Sequence, residues 1–239
     1  VAKFSATKSV EKTFAIQLRK VARVIQGIID SHVVEGKFID QKSLDKALRY
    51  YSELLTPWAE SVTKKVITSI SKNNERAFME NSKKISRSLF DIFTGPGVGE
   101  VAKQLQNEQV ALIKSLPIEA AEKAQVISRN AVINGTRAET SAKKILELGD
   151  ITTSRATLIA RTETAKANTA FTVARATAIG STSFIWRTAD DAAVRASHKA
   201  LANKIFEYDK PPFVSPEEGA HLPGDIWNCR CYAEPIFID

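Results

Sequence analysis

Apolar residues recurring every three or four positions, from the N-terminus to about residue 179, limit this chain to a mainly helical fold. In "FAIQLRKVARVIQGIID" the residues Phe14, Leu18, Val21, Ile25 and Ile28 keep that spacing, which places them along one buried stripe of an α-helix. "EGKFIDQKSLDKALRYYSELL" breaks at Gly36 and restarts near Asp40 or Ser43, both good N-caps, until Pro57 ends or kinks the run. Trp58, Val62, Val66 and Ile70, then Phe78, Ile85 and Leu89, continue the pattern.

"TGPGVGE", residues 94–100, predicts a hinge or connector, because three glycines flank Pro96. Its glycines do not match a phosphate-cradling loop, which requires Lys-Ser or Lys-Thr after the last glycine. Nucleotide binding is therefore excluded. Beyond this break, Pro117 is expected to open a helix, Asn134-Gly135 to form a turn and Gly149 to cap a helix C-terminus. The longest helix is predicted from Thr152 to about Ile179, closed by Gly180.

After Gly180 the pattern changes. "STSFIWRT" is dense in β-branched and aromatic residues, "DDAAVRASHKAL" returns to helical composition, and "KIFEY" is short and extended. A Pro- and Gly-containing loop over 208–228 leads into "CRCYAEPIFI". The fold class expected is mainly α with a small C-terminal α+β module of two to four short strands, 181–239, carried on the long helix 152–179. A boundary near residue 115 divides a helical region, 1–115, from a module over 116–239.

Composition narrows the function classes. Of the net charge of +7, +6 lies in the first hundred residues, where 17 Lys and Arg face 11 Asp and Glu; the remainder holds 17 against 16. Such an excess favours acidic partners, double-stranded DNA among them, through long-range attraction that salt screens. No recognition helix or zinc-finger spacing argues for sequence reading, so DNA binding would be non-specific. No stretch is apolar enough for a membrane span, and "VAKFSATKSVEKTF" lacks a signal-peptide run, so a soluble protein is expected. Two cysteines exclude a disulfide-stapled scaffold.

Both cysteines, Cys229 and Cys231, stand one residue apart. In extended backbone, residues i and i+2 face the same side, so both thiols address one point. Three readings follow: a shared metal ion, two small buried apolar side chains, or a redox pair. For a structural zinc, His198 and His221 complete a Cys2His2 set with Cys229 and Cys231, because His32 lies far away among the N-terminal helices. Asp191, Arg195 and His198 have the spacing to share one helix face. That face reads either as an acid–base site of a zinc-dependent enzyme or toxin-like effector, or as an ion pair anchoring the helix to the following loop. No hydrolytic nucleophile with its own base is evident.

Taken in order, "ARTETAKANTA", "FIWRTADDAAVRASHKAL" and "LPGDIWNCRCYAEPI" resemble the phage Mu F-like head morphogenesis family, the minor head proteins of tailed bacteriophages. The residues carrying the resemblance are Arg161 and Glu163, Trp186 and Thr188, then Asp191, Arg195 and His198, then Pro223, Gly224, Cys229 and Cys231. It covers about residues 120–239. A glycine often follows the His-bearing helix in that family, and Asn203 stands there instead, a residue that also tolerates positive φ. The resemblance implies a non-enzymatic virion component, bound to the portal protein and other head proteins, that assists head assembly and DNA packaging or ejection. It also implies location in the capsid interior or at the portal vertex, and in the host cytoplasm during assembly.

Overall fold

A computed structural model of the protein describes residues 3–81 and 95–237. Seven helices are found among them: α1 (Lys8–Asp30), α2 (Gln41–Leu54), α3 (Thr56–Asn81), α4 (Pro96–Ile133), α5 (Ala138–Leu146), α6 (Leu148–Ala178) and the short α7 (Ala196–Leu201). The strands are β1 (Val33–Val34), β2 (Lys37–Phe38), β3 (Ser183–Arg187), β4 (Ile205–Glu207), β5 (Phe213–Ser215), β6 (Gly219–Ala220) and β7 (Tyr232–Pro235). The fold is mainly α with a small C-terminal α+β part. Five short strands, one more than the sequence predicts at most, occupy that part.

Chain contacts define two compact units. One consists of residues 13–63 and 108–160, the other of 1–12, 64–107 and 161–239. The boundary expected near residue 115 falls within α4.

In the unit of residues 13–63 and 108–160, the buried face of α1 is Phe14, Leu18, Val21, Ala22, Ile25 and Ile29. Ile29 replaces the expected Ile28 because 3.6 residues per turn carry the stripe one position on from Ile25. Glu35 and Gly36, at φ 50° and 73°, turn the chain between β1 and β2. Asp40 then caps α2, its carboxylate accepting from the amides of Lys42 (3.1 Å) and Ser43 (3.0 Å). Pro57 sits in the first turn of α3, where its missing N–H costs nothing.

Three breaks expected from sequence are absorbed into helices. Gly97 and Gly99 lie in the first turns of α4, with Pro96 as its first residue, so 96–100 is helical and not a connector. Pro117 does not open a helix but lies inside α4. It removes one rung of the ladder, the bond to the Ile113 carbonyl, and one residue further on the Lys114 carbonyl also accepts from Ser52 Oγ at 2.8 Å. Gly149 is the second residue of α6 and not a cap; its missing side chain makes room for Gln26, whose Oε1 would lie 1.3 Å from a Cβ there. The expected continuation of α3 through Ile85 and Leu89 lies outside the described residues.

The other unit holds the three-stranded antiparallel sheet, in the order β4-β3-β7. Trp186 pairs with Ala233 and Phe184 with Pro235, so both aromatic rings of β3 point to one buried face. There they join Phe4, Phe78, Ala176, Tyr208 and Tyr232. Phe4 and Phe78 meet edge to face at 4.9 Å, and Phe184 stacks on Tyr208 at 5.1 Å.

Within the same unit, α6 is buried through Thr162, Glu163, Thr164, Ala165, Ala167, Asn168, Thr169, Phe171, Thr172, Arg175 and Ala176. Small side chains let neighbouring backbones approach. Helical hydroxyls satisfy themselves by donating one turn back, as Thr172 does to the Asn168 carbonyl at 2.9 Å. Arg175, 1% exposed, donates to Asn74 Oδ1 and to Ser71 Oγ, each at 2.8 Å, and lies over the Phe171 ring. Burial lowers its pKa to about 10, so the guanidinium remains charged at neutral pH. Asn74 in turn donates to Thr172 Oγ1 at 2.7 Å.

Arg175→Ala leaves Asn74 and Ser71 without their buried donor, and the expected loss is about 3 kcal/mol or more. Urea denaturation followed by circular dichroism reads this loss directly, and Thr177→Ala, at an exposed position of the same helix, is expected to cost under about 1 kcal/mol.

Candidate functional site

The segment from Leu222 to Cys231 is laid along α6 by side chains of that helix. Thr162 and Thr169 are seven residues apart and therefore project from one face. Thr169 Oγ1 donates to the Pro223 carbonyl at 2.6 Å, and Thr162 Oγ1 accepts from the Asn228 amide at 3.0 Å. Arg161 adds a bond to Asn228 Oδ1 at 2.8 Å while its Nε pairs with Glu11 at 3.1 Å. Asn228 has φ 61°, a left-handed conformation that Asn tolerates. Gly224 has φ 95°, and a Cβ there would meet Thr169 Oγ1 at 2.7 Å and the Cys231 carbonyl at 3.1 Å. Only glycine fits between the loop and the helix.

This loop delivers the two cysteines to His198. Both thiols are free and buried, at 2% and 5% exposure. They precede β7 and do not lie within it, yet they face the same point. His198 Nδ1 lies 3.4 Å from Cys231 Sγ and 3.5 Å from Cys229 Sγ, and the three donor atoms all lie within 4.8 Å of one another. The other imidazole nitrogen, Nε2, is 3.3 Å from Glu218 Oε2. The imidazole is 2% exposed and meets the Trp186 ring edge to face at 5.7 Å.

Donation from the Cys231 thiol draws the Cys229 pKa down to about 4, with help from His198 and the Cys231 amide and against the cost of burial. The same contact pushes the Cys231 thiol up. His198 is raised, first by Cys229 and then by Glu218, again against burial. Among the described residues this is where imidazole and sulfur donors converge, and such a set can hold a soft or borderline metal ion. A cavity of about 60 Å³ reaches the three side chains, lined also by Ala189, Val194, Arg195, Asn228 and Arg230.

His221 does not join the cluster. It is exposed beyond the β5–β6 hairpin, its amide bound to the Pro212 carbonyl. Nor do Asp191, Arg195 and His198 share a helix face, because α7 begins only at Ala196, with Arg195 as its N-cap residue. Asp191 pairs instead with Arg230, at 2.6 Å, which holds its carboxyl below the usual range. Arg195 pairs with Glu218 at 3.2 Å and donates to the Trp227 carbonyl at 2.8 Å. Glu218, Trp227, Asn228 and Arg230 are site residues that sequence reasoning missed; Asn228 and Arg230, which flank Cys229, carried the one available signal.

The remaining motif residues hold this frame. Thr188 Oγ1 donates to Asp190 Oδ1 at 2.7 Å, and Glu163 is buried on α6. Asn203, at φ 63°, returns its amide to the Trp186 carbonyl at 2.8 Å, the left-handed turn expected of a glycine substitute.

Residues 122–234 match the family described as Phage Mu protein F like protein. Over these residues the chain is similar to that family. The Mu F-like segment starts inside α4 and ends in β7, and so contains every residue of the sulfur–imidazole cluster and its loop. The family is one of bacteriophage head morphogenesis. Over 202 residues the chain is 30% identical to an uncharacterized protein of Haemophilus influenzae (strain Rd), covering 83% of this chain and 44% of that relative. The chain thus spans under half the length of the curated relative it matches. No solved structure matches it.

Gly224→Ala is expected to cost about 2 kcal/mol or more, combining a left-handed backbone with a close contact. Gly135→Ala, at φ 60° with no atom within 4 Å of the added Cβ, is expected to cost about 1 kcal/mol. Thermal melts of the two variants rank them.

Proposed function

We infer that the chain acts as a minor head protein of a tailed bacteriophage, associated with the portal vertex and assisting head assembly and DNA packaging or ejection. The observation that carries this reading is the Mu F-like match over residues 122–234. The side chains that carry the family resemblance also act as fasteners: Arg161, Gly224, Asp191 and Arg195 each hold or fit a loop. A cavity of about 60 Å³ is far smaller than the several hundred Å³ typical of small-molecule sites. Both features favour a structural role over a catalytic one.

The proposed partners are the portal protein and other head proteins, with packaged double-stranded DNA as a non-specific electrostatic partner of the basic N-terminal hundred residues. Among the described residues no helix is long and apolar enough to cross a membrane. The proposed location is the virion interior or portal vertex, and the host cytoplasm during assembly.

Co-sedimentation with procapsids or portal rings is expected to recover the chain, and its absence from purified procapsids and virions alike would overturn the reading. DNA retention is expected to weaken steeply between low and physiological salt; binding that stays level across that range would remove DNA from the partners.

A further inference from the structure

We propose that His198 Nδ1, Cys229 Sγ and Cys231 Sγ hold one zinc ion, whose fourth coordination position faces the small cavity beside Arg195 and Arg230 and is filled from solvent. The geometry carries the argument. A tetrahedral zinc with Zn–N of about 2.0–2.1 Å and Zn–S of about 2.3 Å sets each N···S separation at about 3.5–3.6 Å. The observed separations are 3.4 and 3.5 Å. A simple hydrogen bond does not account for both, since Nδ1 has one in-plane hydrogen or lone pair and can serve one sulfur well.

Two further groups are placed as a zinc site requires. Glu218 stands at His198 Nε2, the carboxylate behind a ligating imidazole that fixes its tautomer and leaves the Nδ1 lone pair for the metal. The Cys231 amide points at Cys229 Sγ at 3.4 Å, and the fully buried Trp186 indole N–H has no hydrogen-bond partner of its own. Metal-bound thiolates keep lone pairs for such donors, whereas thiols satisfy them weakly.

The protein supplies three ligands here, not four. His221, the fourth candidate by residue type, stands outside the cluster. The cavity of about 60 Å³ against the donors exceeds the roughly 10–15 Å³ that one water requires. Both sulfurs bind as thiolates, the proton still held by Cys231 passing to solvent, and the Nε2 proton stays on His198 toward Glu218. The ion would tie α7 to the loop ahead of β7, and nothing in this assignment depends on the role of the chain in a phage head.

Elemental analysis of the full chain, purified without chelator, is expected to give about one zinc per chain. Cys229→Ser, Cys231→Ser and His198→Ala are each expected to lose most of it, and His221→Ala none. Because those variants could unfold, the wild-type chain is also stripped with a chelator and reloaded with Co2+. The expected spectrum is that of a tetrahedral cobalt thiolate, and added thiocyanate is expected to shift its d–d bands through the open position. A zinc content below about one-tenth per chain in zinc-supplemented preparations would overturn the site. Loss of zinc in His221→Ala, or bands that ignore thiocyanate, would overturn the open fourth position.

Discussion

The C-terminal unit depends on two hydroxyl groups of one helix. Thr162 and Thr169, two turns apart on α6, hold opposite ends of the loop that carries Pro223, Gly224, Asn228 and the first cysteine. Each bond contributes about 1 kcal/mol net, and the one from Thr169 also satisfies a buried carbonyl whose desolvation would otherwise cost more. The loop has little regular structure of its own, so its path is that of the helix surface. Gly224 then sets the separation, since any side chain there would push the loop off Thr169 and carry Cys231 away from His198.

The same helix serves a second purpose through its other faces. Arg175, Asn74, Ser71 and Thr172 form a buried polar group between α3 and α6 where a purely apolar core would have packed. Such groups add little to stability over apolar replacements, but they penalise slippage, because a shift of one residue would leave a guanidinium and an amide unpaired. The hydroxyl and alanine content of "ARTETAKANTAFTVARATA" follows from this. The helix is surrounded closely, so bulk is excluded and specificity comes from hydrogen bonds.

The parts of the fold legible in the sequence are those set by local rules. Helical stripes, the Asp40 cap, the Asn134-Gly135 turn and the strand of Phe184 and Trp186 follow from periodicity and backbone preference. Gly149 departs from its local reading because a long-range contact decides its role, Gln26 filling the space a side chain would take, and Pro117 departs because α4 runs on through it. The candidate site divides similarly. Cys229 and Cys231 announced a shared point by their spacing, and His198 was named beside them. Glu218 gave no local sign, because its partner His198 lies 20 positions away in sequence. Residue types alone make His221 a fourth ligand, but the turn that follows β6 leaves it exposed and outside the cluster.

Asp191, Arg195 and His198, which the sequence spacing groups together, are each paired with a different segment and not with one another. Here Asp191 meets Arg230, Arg195 meets Glu218 and the Trp227 carbonyl, and His198 is enclosed by Trp186, two sulfurs and Glu218. Asp191 and Arg195 bridge the segment between β3 and α7 to the cysteine loop or the β5–β6 hairpin. The charged pairs at the rim are partly solvated and individually weak. Their value is positional: with the cysteine loop tied at Pro223 and Asn228 and Arg230 paired with Asp191, the two sulfurs that follow are held against His198 without a rigid secondary structure of their own.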